Sequence, residues 1–263
     1  MSKNHFIFPC AGNKRNEINN FIDYIDFENK KDIVESFCGS SAMSFYIWKK
    51  YGNQFNYHLN DLDNILIDIY FLLRDKSIEE IEMNINIIRE KFISYEDDNE
   101  RKEYFKNEIV KKSDNIYNYI FNKKYSTFRG GLCPLLNRIP KSNFKITDEC
   151  KLFIEFIKSP NVYIYCDNWM NIFNKFKDKN DAIILLDPPY IFSCNRNYNV
   201  QDCSVYEYFF NNPISNNQAN IYLILEDIWI IRLLFQNQKI LLQYDKKYEV
   251  SKKKTKHILI SNV

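Results

Sequence analysis

Glycine is scarce in this chain: five in 263 residues, at positions 12, 39, 52, 130 and 131. Each therefore marks a backbone position where a side chain is costly. Histidine is scarcer still, with three, and the seven cysteines form no CxxC pair and no Cys/His cluster. That excludes a structural zinc of the usual spacing, and no metal is expected. An odd, unpatterned cysteine set without a signal peptide points to a reducing compartment, the cytoplasm, or the host's if the chain is viral. No apolar run approaches the roughly 20 residues of a membrane span, so no membrane partner is expected. Neither sign of charge dominates: 36 Lys and Arg against 34 Asp and Glu give +2, which does not by itself signal a nucleic-acid partner.

What is present is ordinary globular material, 45% hydrophobic and 27% charged, long enough for one large α/β domain or a core carrying an inserted subdomain. Part of the 16% aromatic share reflects a codon-biased genome rich in Asn, Lys, Ile, Tyr and Phe. Charge distribution says more than charge total. Between Glu100 and Lys145 eleven Lys and Arg face four acids, an excess of seven, whereas Asp75 to Asp98 is acidic. Such a basic stretch suits a phosphate backbone and equally suits a solvated helix face.

Strand-like runs recur at Asp32–Phe37, Phe55–Asn60, Val162–Cys166, Ala182–Leu186, Ile221–Glu226, Lys239–Tyr244 and His257–Ser261. The continuously apolar "AIILL" predicts a strand covered on both faces. Helical patterns lie between, including Ser40–Tyr51, Asn64–Leu73 and Ala219–Phe235. The alternation predicts a mostly parallel, doubly wound sheet, and the short lysine-rich link before the last run predicts an antiparallel hairpin at one end. The interval of about 75–160 is too long for a connection and reads as helices followed by a Gly/Pro-punctuated loop. The expected division is a catalytic domain of residues 1–74 and 161–263 with an inserted domain at 75–160.

Ligands of open α/β sheets bind beyond the carboxyl ends of the strands. There the chain places "ESFCGSSAMS", "NDLDN", "CDNW" and "DPPY" in turn. Gly39 opens a strand-to-helix turn, and Asp61 can accept from ribose hydroxyls; Asp63 is a competing acid, suited to capping the next helix. "GSSAMS" is neither a GxGxxG fingerprint nor a lysine-bearing phosphate loop. A ligand with a ribose and no phosphate fits better, which points to S-adenosylmethionine.

The fourth strand end, Asp187-Pro188-Pro189-Tyr190, is a stiff turn, because neither proline donates to a sheet ladder. Methylating the amino group of adenine or cytosine requires that its delocalised lone pair be aimed at the methyl donor. Its protons must also be accepted as positive charge develops. Asp187 and the Pro188 carbonyl offer such acceptors at fixed geometry, and Tyr190 offers a stacking surface for a flipped base. The plain alternative is a proline-terminated strand with a packed tyrosine.

Taken with the N-terminal "FPCAGNKR", these motifs resemble the Dam-like family of DNA adenine-N6 methyltransferases. The resemblance implies a Rossmann-like, seven-stranded methyltransferase fold with an inserted, mainly helical target-recognition lobe. By the same resemblance Cys10, Lys14, Phe37, Gly39, Asp61 and Asp167 would bind the donor, S-adenosyl-L-methionine. Asp187, Pro188, Pro189 and Tyr190 would be catalytic. "YSTFRGGLCPLLNR" resembles the loop that enters DNA, with Arg129, Gly130 and Asn137 as substrate-binding residues and Phe192 as a second stacking surface. The family's second loop glycine is Ser41 here: a serine fits if φ is negative, whereas a positive φ would require the loop to shift. DNA is the favoured substrate; RNA adenosine and a non-catalytic scaffold are the alternatives.

Overall fold

The computed structural model describes residues 4–10, 13–126, 134–136, 139–191, 203–247 and 254–263. The chain divides into two compact units, Gly12–Asn64 with Ser159–Val263, and Met1–Ala11 with Ile65–Lys158. In the first unit β1 (Asp32–Glu35), β2 (Asn56–Asp61), β3 (Val162–Cys166), β4 (Ala182–Leu186), β5 (Asn220–Glu226), β6 (Lys239–Lys247) and β7 (Lys254–Ser261) form one sheet, ordered β3-β2-β1-β4-β5-β7-β6. All neighbours are parallel except those of β7, which runs against both β5 and β6. This is the Rossmann-like, seven-stranded arrangement expected, with the hairpin at one edge. The one-turn α1 (Ile18–Phe21) precedes β1, and α2 (Ala42–Tyr51) follows the Gly39 turn.

The second unit is helical: α3 (Asn64–Asp75), α4 (Ile78–Ile93), α5 (Asp98–Tyr104), α6 (Ile116–Tyr125) and α7 (Asp148–Lys158). The helical chain expected after α4 is broken between α5 and α6. A π-helical stretch, Phe105–Val110, continues α5, and then Asn115 caps a new helix by accepting from the N–H groups of Tyr117 and Asn118. Side-chain acceptors of this kind satisfy donors that no preceding turn can reach. The chain after α6 is pinned to α4 by two buried polar residues. Glu82 accepts from the Ile146 N–H at 2.8 Å, and Arg89 donates to Asn143 Oδ1 at 2.7 Å. The expected loop also gives way to α7, whose Thr147 hydroxyl accepts from the Cys150 N–H.

Back in the sheet unit, α8 (Trp169–Phe176), α9 (Ser204–Asn211) and α10 (Trp229–Leu234) complete the set. α8 buries Trp169, Ile172, Phe173 and Phe176, one stripe at helical spacing, in the same core as Ile184, Leu186 and Leu223. Every residue of β4 is buried, and its four large aliphatics contribute about 1.5–3 kcal/mol each. The helical reading of Ala219–Phe235 is corrected: 220–226 is a strand and only 229–234 a helix. "NIYLILE" is apolar enough for either state, and pairing between β4 and β7 decides it.

Candidate active site

Parallel pairing brings the carboxyl ends of β1, β2, β3 and β4 to one edge, with Glu35 level with Leu59 and Leu185. Asn60, buried near the end of β2, ties these ends together. Its amide donates to the carbonyls of Ser36 and Asp167, both at 3.0 Å, and its oxygen accepts from the Asp167 N–H at 3.0 Å. The backbone after β3 is thereby fixed, and Asn168 then caps α8 by accepting from Met170. Sequence reading missed Asn60, although a buried amide at a strand end is what "HLND" places there.

Asp61 accepts from the Gly39 N–H at 2.9 Å and from the Asp63 N–H at 3.1 Å. Burial pushes its carboxyl up, against the lowering effect of those bonds. The carboxylate thus clamps the strand-to-helix turn, and Gly39 (φ +51°) leaves open space where a Cβ would project. A ligand can approach the backbone there. Ser41 also has a positive φ, +49°, and is buried, so this turn takes the left-handed conformation with a side chain in place. Phe37 lies 5.8 Å from Trp169 between ring centroids. Cys10 belongs to the helical unit, where its thiol faces the Phe8 carbonyl at 3.8 Å. Arg129, Gly130, Asn137 and Phe192 lie outside the described residues.

The turn after β4 is dense with charge. Asp187 Oδ2 is 2.5 Å from Lys14 Nζ, and Asp187 Oδ1 accepts from the Tyr190 hydroxyl at 2.9 Å. The Pro189 carbonyl is held by the Tyr206 hydroxyl at 3.1 Å. Tyr190 is buried, with Lys14 Nζ 5.4 Å from its ring centroid. Burial and the charges of Asp187 and Glu17 push its phenol well above the ordinary value, so the hydroxyl keeps its hydrogen.

Behind Tyr190 stand residues that sequence reading did not single out. His257 Nδ1 is 3.4 Å from the Tyr190 hydroxyl and 3.1 Å from Glu17 Oε2. Lys246 Nζ lies 2.7 Å from Glu17 Oε1, and the Tyr244 hydroxyl donates to Glu17 Oε2 at 3.2 Å. Burial would raise the Glu17 carboxyl, but Lys14, His257 and Lys246 outweigh it and hold it down at about 2. Glu35, wholly buried at the end of β1, is the opposite case. Burial pushes it up to about 7, assisted by the Asp187 charge and opposed by hydrogen bonds from Ser44. No spacing signal links 14, 17, 190, 246 and 257; only the sheet does.

Among the described residues no His, Cys, Asp or Glu cluster suited to a metal occurs, and no helix is long and apolar enough to cross a membrane. No curated protein matches the chain in sequence. Two structures of the rRNA methyltransferase aviRa from Streptomyces viridochromogenes, at 1.5 and 2.4 Å, align with it. They share 10% and 9% identity at TM-scores of 0.41 and 0.39, each over 97% of this chain and 86% of the other. Likeness at that level bears on nothing further. The sequence match is of another order: residues 11–222 fit the D12 class N6 adenine-specific DNA methyltransferase family, and the chain belongs to that family.

Proposed function

We propose that the protein transfers a methyl group from S-adenosyl-L-methionine to N6 of adenine at specific sites in DNA. The target base would be flipped onto Asp187–Tyr190. The observation that carries this reading is the doubly held carboxylate of Asp187 at the end of the central strand. A carboxylate has about four acceptor sites, and Lys14 and Tyr190 use two, so room remains for one adenine amino hydrogen. Held in this way, the group meets developing positive charge with little reorganisation. The Pro188 carbonyl is the second acceptor, and Tyr190 and Phe192 are the stacking surfaces.

Asp61 would hold the donor's ribose, Gly39 and Phe37 its methionine moiety and Asp167 its adenine, with Lys14 from the N-terminal motif. When bound, the donor would supply an electrophilic methyl on a sulfonium, and a neutral thioether would be the leaving group as the N6 lone pair bonds to that methyl. Target recognition is assigned to the inserted helical unit with its basic excess and to Arg129, Gly130 and Asn137. DNA rather than RNA is supported by the family to which the chain belongs. The test is transfer of tritiated methyl to matched DNA and RNA duplexes. DNA is labelled and RNA is not, and Asp187→Ala abolishes labelling. Wild-type labelling by Asp187→Ala sinks the catalytic assignment, and preferential labelling of RNA sinks the substrate.

A further inference from the structure

The Tyr190 hydroxyl lies 2.9 Å from Asp187 Oδ1 and 3.4 Å from His257 Nδ1. Which neighbour receives its hydrogen depends on what His257 Nδ1 carries. That nitrogen also faces Glu17 Oε2 at 3.1 Å. Glu17 sits between the cations Lys246, at 2.7 Å, and Lys14, at 3.9 Å, so it is a carboxylate and can only accept. His257 Nδ1 must therefore bear a hydrogen, whether the ring as a whole is neutral or charged. A nitrogen that bears a hydrogen cannot accept another. Of these two neighbours only Asp187 can take the Tyr190 hydrogen.

We propose that His257, oriented by Glu17, is a positioning residue: its one Nδ1–H, shared between Glu17 Oε2 and the Tyr190 oxygen, holds that oxygen by donation, leaves its hydroxyl hydrogen for Asp187, and so holds that carboxylate in its working orientation. The inference rests on the methyl-transfer reading for its purpose, although the direction of the hydrogen bonds can be measured without it. His257 is fully buried on β7, paired with Glu226 of β5 and Tyr244 of β6, so its ring has a fixed place to act from. The Tyr244 ring lies 5.7 Å from it, and the Tyr244 hydroxyl holds Glu17 from the other side. The set is a one-way chain from an acceptor-only acid, through an imidazole donor, to a phenol aimed at the catalytic acid.

The first measurement needs no turnover. The chain has three histidines, and nitrogen-15 labelling of their rings, with His257→Asn to assign the signals, reports which ring nitrogens carry hydrogen. His257 Nδ1 is expected to carry one; a bare Nδ1 overturns the proposal. The second measurement compares two variants. In His257→Asn the side-chain amide nitrogen takes the place of Nδ1 and keeps the donor, whereas His257→Leu fills the space without one. His257→Leu is expected to lower kcat by about tenfold or more, with KM for donor and DNA within about twofold, and His257→Asn to stay within about threefold of wild type. In a Tyr190→Phe background the two should turn over equally. A kcat loss below about threefold in His257→Leu, equal losses in both variants, or a difference that persists without the Tyr190 hydroxyl overturns the positioning role. A wild-type protein that transfers no methyl to DNA removes the proposed function instead, and the labelled-ring result then decides the hydrogen-bond direction alone.

Discussion

Replacing Glu35 by glutamine should stabilise this protein, and more so as pH rises. Glu35 is buried at the end of β1 and accepts from the Ser44 N–H in the first turn of α2 at 3.2 Å. A glutamine oxygen accepts the same bond without requiring a buried charge. The folded-state pKa is about 7 against an ordinary 4.5. A carboxyl raised on folding contributes its stability fully below 4.5 and loses it as pH rises through 7, because the unfolded chain ionises more readily. Linkage then gives a penalty of about 0.4 kcal/mol at pH 4.5, about 1.4 at pH 5.5, about 3 at pH 7 and about 3.4 above pH 8. Urea unfolding of both proteins across pH 5 to 9 measures the difference directly. The reasoning is refuted if Glu35→Gln is the less stable protein at pH 8, or if the gap does not widen between pH 5 and 8.

Glu17→Gln should behave with the opposite sign. Its carboxyl is held at about 2, so the variant loses about 3 kcal/mol at pH 7, in line with the cost of breaking a buried pair. That deficit shrinks as pH falls below 4.5 toward 2; a deficit that grows on acidification in urea titrations contradicts it. Asn60→Ala removes three hydrogen bonds between strand ends at about 1 kcal/mol each and should cost about 3 kcal/mol in the same assay. Ser41→Val puts a β-branched side chain at φ +49° and should cost about 2 kcal/mol, a fall of roughly 4–8 °C in Tm by calorimetry. A Ser41→Val protein that melts with wild type would show the turn to be relaxed.

The sheet was legible because its central strand declares itself: "AIILL" has no polar face to offer solvent, and the four residues after it cannot extend a ladder. Two of the strand-end acids were legible for a related reason, since Asp167 and Asp187 directly follow strand-forming runs, whereas Asp61 follows Asn60. Over 219–235 the strand at 221–226 was legible, but a helical reading overlapped it, because so apolar a stretch has no period until a neighbour supplies one. Ser41 was read in two ways, since the sequence names the side chain and not the φ. Glu17 and His257 were invisible as a pair: they lie at opposite ends of the chain and meet only through the order in which β5, β7 and β6 assemble.

That order has a consequence for the making of the protein. β5 is buried along nearly its whole length and takes β7, not the intervening β6, as its partner, pairing Leu225 with Ile258. An emerging chain therefore carries an apolar strand with one open edge until β7 has been synthesised and threaded between β5 and β6. An uncovered edge recruits other chains. A product interrupted before Lys254 would leave that edge open for good, a template for aggregation rather than a weaker enzyme.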